Sequence, residues 1–274
     1  MGLVITVQQV DGGGAAAEAM RLAYNRSAAA WAAGPDVLYG RLAEVLVTAA
    51  PLPMAGASVL DVGAGTGVAG RAAIAAGARH VVSVDIAERM LRVIGDAPGR
   101  VLPVVADATH LPFADRAFEI VCAAFCLGHL PDPVAALLEA RRVGRSIVAS
   151  AFAAGWTHPA KSVVDDVLGE FGYTAPAWHG ALKDQLEPQV GDPHRLALAA
   201  TAAGYPCVQV TVVSVPSGLI TPADLVRWRL GMAHLAPFVQ TLAPVDRERA
   251  RLTAEVALTG APPLVVPMVV LAAS

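Results

Sequence analysis

Short, nearly uninterrupted apolar runs alternate with helical stretches through the middle of the chain. The predicted strands cover residues 58–61, 80–85, 101–106, 117–124 and 145–150. The predicted helices between them cover residues 68–76, 87–95 and 133–143. Strands that are apolar on both sides are covered by helices on both faces, so this pattern predicts a doubly wound, parallel α/β sheet.

The flanking regions have a mostly helical pattern. Before the block, helices are predicted over residues 15–31 and 36–50, preceded by a mobile arm that runs through Gly14. After the block, strands at 207–215 and 264–272 fit an antiparallel edge hairpin with a lid inserted in it. We therefore predict one compact unit with the following parts: an N-terminal helical arm or lid at 1–53, and a core at 54–274 with cap segments at about 151–203 and 221–260.

Composition narrows the class of protein. The 274 residues are 55% apolar, with a mean hydropathy of +0.54, yet no run approaches the ~18 apolar residues of a spanning helix. The start of the sequence lacks a signal-peptide pattern, which favours a cytoplasmic protein with no membrane partner. A net charge of −3 disfavours nucleic acid, and a homo-oligomer stays open. Only Lys161 and Lys183 among 20 basic residues are lysine, which we attribute to coding bias.

Cysteine and histidine spacing offers no metal site. The three cysteines, Cys122, Cys126 and Cys207, have no close paired spacing, so we expect free, buried thiols. Five histidines show no pairing spacing, which makes a metal site an unfavourable interpretation. They are His80, His110, His179, His194 and His234.

A glycine-rich turn follows the first strand of the block. It reads Asp61-Val62-Gly63-Ala64-Gly65-Thr66-Gly67, at the place where doubly wound sheets bind ligands. Gly65, Gly67 and Gly70 also satisfy the dinucleotide fingerprint, with Asp85 about 20 residues further on, so an NAD(P)-dependent oxidoreductase stays an alternative. Asp61 would repel a pyrophosphate but suits an ammonium group. Asp107, after the third strand, is positioned to accept from an adenine amino group.

These motifs together resemble the class I S-adenosylmethionine-dependent methyltransferases, in the subgroup of menaquinone and ubiquinone C-methyltransferases and small-molecule methyltransferases. The resemblance covers about half the chain, from Tyr24 to Ser150. The matching segments are residues 59–67, 82–91, 106–113, 117–121 and 127–133. The resemblance implies a Rossmann-like, seven-stranded sheet of order 3-2-1-4-5-7-6, with the last strand antiparallel and helical cap insertions.

The resemblance also implies roles for individual residues. Asp85 would hold the ribose hydroxyls of S-adenosylmethionine. The other implied cofactor contacts are Gly63, Ala64 and Gly65 at the methionine part, Ile86 on the adenine face, Asp107 and Ala108 at the adenine edge, Phe125 at the sulfonium side, Tyr24 folded over the cofactor, and Met90.

Two departures from the family pattern bear on this interpretation. The usual turn after residue 143 is reduced to Gly144-Arg145, which predicts a shorter loop before the fifth strand. A histidine pair of the family is reduced to Gly128-His129. His129 and His158 are the candidate general bases, since histidine takes protons near neutral pH, and each has a structural role as the alternative.

The cap segments are rich in aromatic side chains and poor in charge. The side chains in question are Trp156, Phe171, Tyr173, Trp178, Trp228, Met232 and Phe238. They favour a bulky, largely apolar small-molecule substrate under a lid, although they also suit lid packing. The leading hypothesis is a small-molecule methyltransferase of secondary-metabolite type. A related protein that keeps the cofactor as a scaffold for another reaction, such as a cyclisation, stays open beside it.

Overall fold

The computed structural model describes residues 14–94 and 100–274, together with the backbone of Ile5–Thr6. Eight strands form one sheet in the order β1-β4-β3-β2-β5-β6-β8-β7. The strands are β1 Ile5–Thr6, β2 Ser58–Val62, β3 His80–Asp85, β4 Val101–Val105, β5 Phe118–Ala124, β6 Gly144–Phe152, β7 Val208–Pro216 and β8 Val265–Ala273.

The predicted seven-stranded order is confirmed by strands β2 to β8. All their pairings are parallel except those of β8, which runs antiparallel to both β6 and β7. The two-residue strand β1 is an addition that the sequence did not predict, and it pairs in parallel with β4. It occupies what would otherwise be an open sheet edge. The rest of the predicted mobile arm before Gly14 lies outside the described residues.

Twelve α-helices surround the sheet in the described part of the chain. They are α1 Ala15–Ala33, α2 Pro35–Thr48, α3 Val68–Ala75, α4 Glu88–Leu91, α5 Pro133–Val143, α6 Pro159–Gly169, α7 Ala177–Ala181, α8 Glu187–Val190, α9 Pro193–Ala202, α10 Pro222–Leu230, α11 Ala236–Val239 and α12 Pro244–Ala257. A 3₁₀ turn covers Leu127–His129 and a π turn covers Leu182–Leu186. The helix predicted over 87–95 is shorter in the structure, because α4 ends at Leu91 and residues 92–94 form a turn; residue 95 lies outside the described residues.

The sheet has an apolar core on each face. Alternate residues of one strand belong to opposite cores: Val59 lies in the same core as Leu42 of α2, whereas Leu60 lies in the same core as Leu137 of α5. All four side chains are fully buried. This two-sided burial explains why the strands are apolar without alternation.

Helix α9 changes the predicted cap. Its Leu196 belongs to the core that contains α5, so α9 flanks the sheet on that face. Helices α6 and α10 instead share the core that contains α1 and α2. Both predicted cap stretches are helical, while their division from the core stays a prediction.

Local details follow the sequence closely. Pro35 opens α2, and α5 ends at Val143 directly before β6 begins at Gly144, which confirms the shortened connection. Cys122 and Cys126 are free and buried as predicted, but Cys207 is exposed, a correction explained by its place at the outer edge just before β7. Within the described part of the chain, none of the helices combines the length and apolar character needed to cross a bilayer.

Candidate functional site

The glycine turn joins β2 to α3 at the point where the chain changes sides of the sheet. Gly63, Gly65 and Gly67 have φ angles of 67°, 54° and 84°. At Gly63 a Cβ atom would lie 2.5 Å from Sγ of Cys126, so this position has room for glycine alone. The turn therefore brings backbone atoms close to the carboxyl ends of β2 and β5, where open α/β sheets bind ligands.

Asp85 ties the glycine turn to the end of β3. One carboxylate oxygen accepts from the Gly65 N–H at 2.8 Å, and the other accepts from the Ala87 N–H at 2.7 Å. Each oxygen keeps a further lone pair, as two adjacent ribose hydroxyls would require. Burial raises the pKa of this carboxyl, against the two backbone hydrogen bonds that favour its charge.

Asp61 lies fully buried beneath the turn. Its Oδ2 atom accepts from the Gly70 N–H at 2.9 Å, while its Oδ1 atom is buried without a partner among the described residues. Burial raises the pKa of Asp61 to about 7. An unpartnered buried acceptor is costly unless a ligand satisfies it, and an ammonium group would do so.

We expect Asp61→Asn to flatten the pH dependence of stability in the ligand-free protein. A raised carboxyl pKa means that the folded chain keeps a proton that the unfolded chain has lost. The free energy of unfolding therefore decreases as the pH rises from about 4 to about 7. In the wild type this decrease is up to roughly 4 kcal/mol. Asparagine has no titrating proton, so the decrease should be smaller in Asp61→Asn. Urea unfolding of both proteins across this range measures it; parallel curves would contradict the buried, titrating carboxyl.

The other predicted cofactor contacts gather around one cavity of about 690 Å³. Asp107 anchors one oxygen on the N–H and hydroxyl of Thr109, each at 2.8 Å. Phe125 holds a left-handed φ of 54°, rare for a bulky residue and a mark of functional sites. The predicted cofactor contacts that line this cavity are Tyr24, Asp61, Gly63, Ala64, Gly65, Asp85, Ile86, Met90, Asp107, Ala108 and Phe125.

The two candidate bases lie in different surroundings. His129 lines the cavity, and its Nε2 atom lies 2.7 Å from the Tyr24 hydroxyl on α1. Burial lowers the pKa of His129, which favours the neutral ring. His158 is buried at the start of α6, where Nδ1 accepts from the Ala160 N–H and Nε2 lies 3.0 Å from the Pro262 carbonyl oxygen. Both of its nitrogens are engaged, and it does not line the cavity. The structure thus favours the capping role for His158.

Part of the predicted aromatic set of the cap segments lines the lid side of the cavity. Trp156, Trp178, Trp228 and Met232 line it. Tyr173 and Phe238 instead pack against each other at 5.4 Å beside a second, smaller cavity. Phe171 lies under the Arg249 guanidinium. The aromatic set therefore divides into a cavity wall and lid packing.

Charged groups on the lid wall are the main feature that the sequence did not reveal. Arg229 is 4% exposed and bonds Asp165 at 2.7 Å and His234 at 3.1 Å. His234 stacks on His179 with ring centroids 3.7 Å apart, a pairing that their sequence spacing hid. Both lysines of the chain, Lys161 and Lys183, also line this cavity. The rarity of lysine is the one sequence signal for this wall, and assigning it to coding bias overlooks it.

Comparison with known proteins agrees with the geometry of the turn. Residues 60–147 match the family described as "Methyltransferase domain". The demethylmenaquinone methyltransferase of Clavibacter sepedonicus is 41% identical over 126 residues, which are 44% of this chain and 49% of that protein. The chain thus spans about half the length of the curated relatives it matches.

Solved structures match over more of the chain, at low identity. A protein of Anabaena variabilis, described as a methyltransferase from an antibiotic biosynthesis pathway, gives a TM-score of 0.59 at 16% identity, covering 84% of this chain and 96% of its own. The [4+2]-cyclase SpnF gives 0.54 at 17% identity, covering 86% and 80%. At these identities the likeness shows the fold alone.

The residues around the turn fit S-adenosylmethionine group by group. Asp61 presents a free buried acceptor for an ammonium group, and Asp85 presents two lone pairs at the end of β3 for hydroxyls. Over residues 60–147 the chain is therefore similar to methyltransferase domains, and its turn presents groups that suit S-adenosylmethionine.

Proposed function

We propose that the protein transfers a methyl group from S-adenosylmethionine to a small organic acceptor held under the lid. The observation that carries this is the continuity of one cavity. The same space is lined by Asp85 and Asp107 on the sheet side and by Trp156 and Trp228 on the lid side. A cofactor and an acceptor can therefore meet without leaving protein.

The chain's own residues would contribute orientation and exclusion of water. The bound cofactor supplies an electrophilic methyl group, so positioning accounts for much of the rate. Tyr24 closes the cavity from α1 through its hydrogen bond to His129, and its ring packs 5.5 Å from Trp31. This contact holds the N-terminal helix over the site.

The proposed acceptor is a flat aromatic or conjugated molecule. Phe125 lies 4.4 Å from Phe152, which stacks on Trp156 at 5.0 Å, so an aromatic wall runs from the sheet into the lid. Relatives named for demethylmenaquinone support a quinol-like ring. The family match ends at residue 147, before the lid begins, so the lid itself carries the argument about the acceptor.

A non-methylating reaction is the second candidate, because the fold is shared with a [4+2]-cyclase. An oxidoreductase is less favoured, since the buried Asp61 carboxylate would face a dinucleotide pyrophosphate.

Methyl-tritiated S-adenosylmethionine and 1,4-naphthoquinol test the proposal. We expect label in the extracted quinol together with an equal amount of S-adenosylhomocysteine. Asp166→Ala, a change on the exposed side of α6, should transfer the label as the wild type does and serves as the control variant. Under anaerobic conditions, an enzyme-dependent product other than the quinone, formed without S-adenosylhomocysteine, would favour the non-methylating alternative, and no product at all would contradict the quinol assignment.

A further inference from the structure

Lys161 lies on the wall of the cavity, and its amine has no carboxylate partner among the described residues. Its Nζ atom donates to the Trp156 carbonyl oxygen at 3.1 Å and lies 3.6 Å from the centroid of the Trp156 ring. It also lies 5.9 Å from the ring of Phe152, whose other neighbour is Phe125. Lys161 is thus joined by one aromatic wall to the predicted sulfonium side of the site.

The charged groups around Lys161 come from three further elements and its own helix. Asp165 on α6 is bonded to Arg229 of α10, and Glu187 of α8 is bonded to Lys183 of the π turn. Both nearby carboxylates therefore have other partners. Burial, with Lys183 and Arg229 nearby, lowers the pKa of Lys161 to about 7. The amine is partly neutral at physiological pH.

The surroundings also suit the protonated amine once it forms. A carbonyl oxygen and the face of an indole ring both stabilise an ammonium group. Arginine could not accept and release a proton in this way, because a guanidinium does not lose its proton in proteins. In a chain where basic residues are otherwise arginine, both lysines line this one cavity.

We propose that Lys161 is the base that takes a proton from an acidic hydroxyl of the acceptor, so that the cavity selects phenols and enols. This rests on the proposed methyl transfer. The acceptor O–H bond breaks and its proton moves to the lone pair of Nζ, which becomes an ammonium group. The oxygen lone pair forms the new bond to the methyl carbon, and the S–CH₃ bond breaks with its electron pair remaining on sulfur.

Proton acceptance requires matched acidities. A weakly basic amine takes a proton efficiently from a phenol or an enol and poorly from an aliphatic alcohol. His129 is less suited to this role, because Nε2 already faces the Tyr24 hydroxyl. Lys161 is therefore the catalytic base of the proposal, and His129 positions Tyr24.

An NMR titration of protein labelled with carbon-13 at lysine Cε measures the pKa of Lys161 directly. The spectrum is simple because the chain has two lysines. In Lys183→Arg one side-chain signal remains, and we expect its midpoint near the pKa of about 7. A midpoint above about 9, near the ordinary lysine value, would overturn the proposal. This readout requires no acceptor and no turnover.

The phenolic probe 4-nitrophenol tests the proton transfer, because its acidity lies close to that of the Lys161 ammonium group. With S-adenosylhomocysteine bound, we expect wild-type protein at about pH 7 to raise the nitrophenolate absorption band above its intensity in buffer. Lys161→Met should leave the band at its intensity in buffer, and the control Asp166→Ala, exposed on the same helix, should raise it as wild type does. A band raised equally in Lys161→Met, or not raised by wild type, would overturn the proposal.

These outcomes are separable from failure of the proposed function. If S-adenosylhomocysteine does not bind the wild type, the methyltransferase proposal fails first. If it binds wild type and Lys161→Met equally but the nitrophenolate band behaves otherwise than expected, only the assignment of Lys161 fails.

Discussion

Replacing Asp85 by alanine is expected to weaken S-adenosylhomocysteine binding by about 100-fold or more. Each hydrogen bond from a ribose hydroxyl to a charged carboxylate is worth about 1.5–3 kcal/mol, and two are lost together. The substitution also frees the N–H groups of Gly65 and Ala87, which loosens the turn. Isothermal titration calorimetry at neutral pH measures the change.

Two further variants separate charge from shape at this position. Asp85→Asn keeps the shape of the side chain but presents an amide N–H to one of the two backbone donors, so we expect an intermediate loss. Asp166→Ala, an exposed acid on α6, should leave the affinity unchanged. Affinity in Asp85→Ala equal to that of wild type would refute the ribose assignment.

Gly63→Ala is expected to cause a large loss of stability from a single methyl group. A non-glycine residue in the left-handed region costs about 1–2 kcal/mol, and overlap with the buried Cys126 side chain adds about 1–3 kcal/mol. Urea unfolding of the ligand-free protein measures the sum.

Gly56→Ala is the matched control for this prediction. Gly56 has a φ of 78° but nothing within 4 Å of the added Cβ, so it isolates the backbone cost. The combined change Gly63→Ala with Cys126→Gly should recover part of the loss by removing the overlap. Equal destabilisation at Gly56 and Gly63 would show that the overlap with Cys126 contributes nothing.

The sheet and the cofactor side were predictable because their signals are local. Strand β3 matches its predicted bounds, and the functional residues lie at strand ends: the glycine turn follows β2, Asp85 ends β3, and Asp107 lies two residues after β4. A strand end fixes where the next side chain points, so these residues converge whatever the loops do. The two-residue strand β1 has no such pattern, and only pairing with β4 defines it.

The lid wall could not be predicted in the same way. His179 follows Trp178 on α7, whereas His234 lies between α10 and α11, and their stacking depends on how two distant segments pack. The cap was expected to be poor in charge, yet Arg229 and Lys161 face the cavity. Similarly, the sequence does not reveal that one ring nitrogen of His158 caps α6 and the other contacts the Pro262 carbonyl oxygen.

Calorimetric titration of the wild-type protein with S-adenosylhomocysteine and, separately, with NAD⁺ tests the central claim most directly. The buried Asp61, the two lone pairs of Asp85 and the continuous cavity predict one S-adenosylhomocysteine per chain with a Kd in the micromolar range, about −8 kcal/mol, and no heat from NAD⁺. Binding of NAD⁺ with no binding of S-adenosylhomocysteine would contradict it.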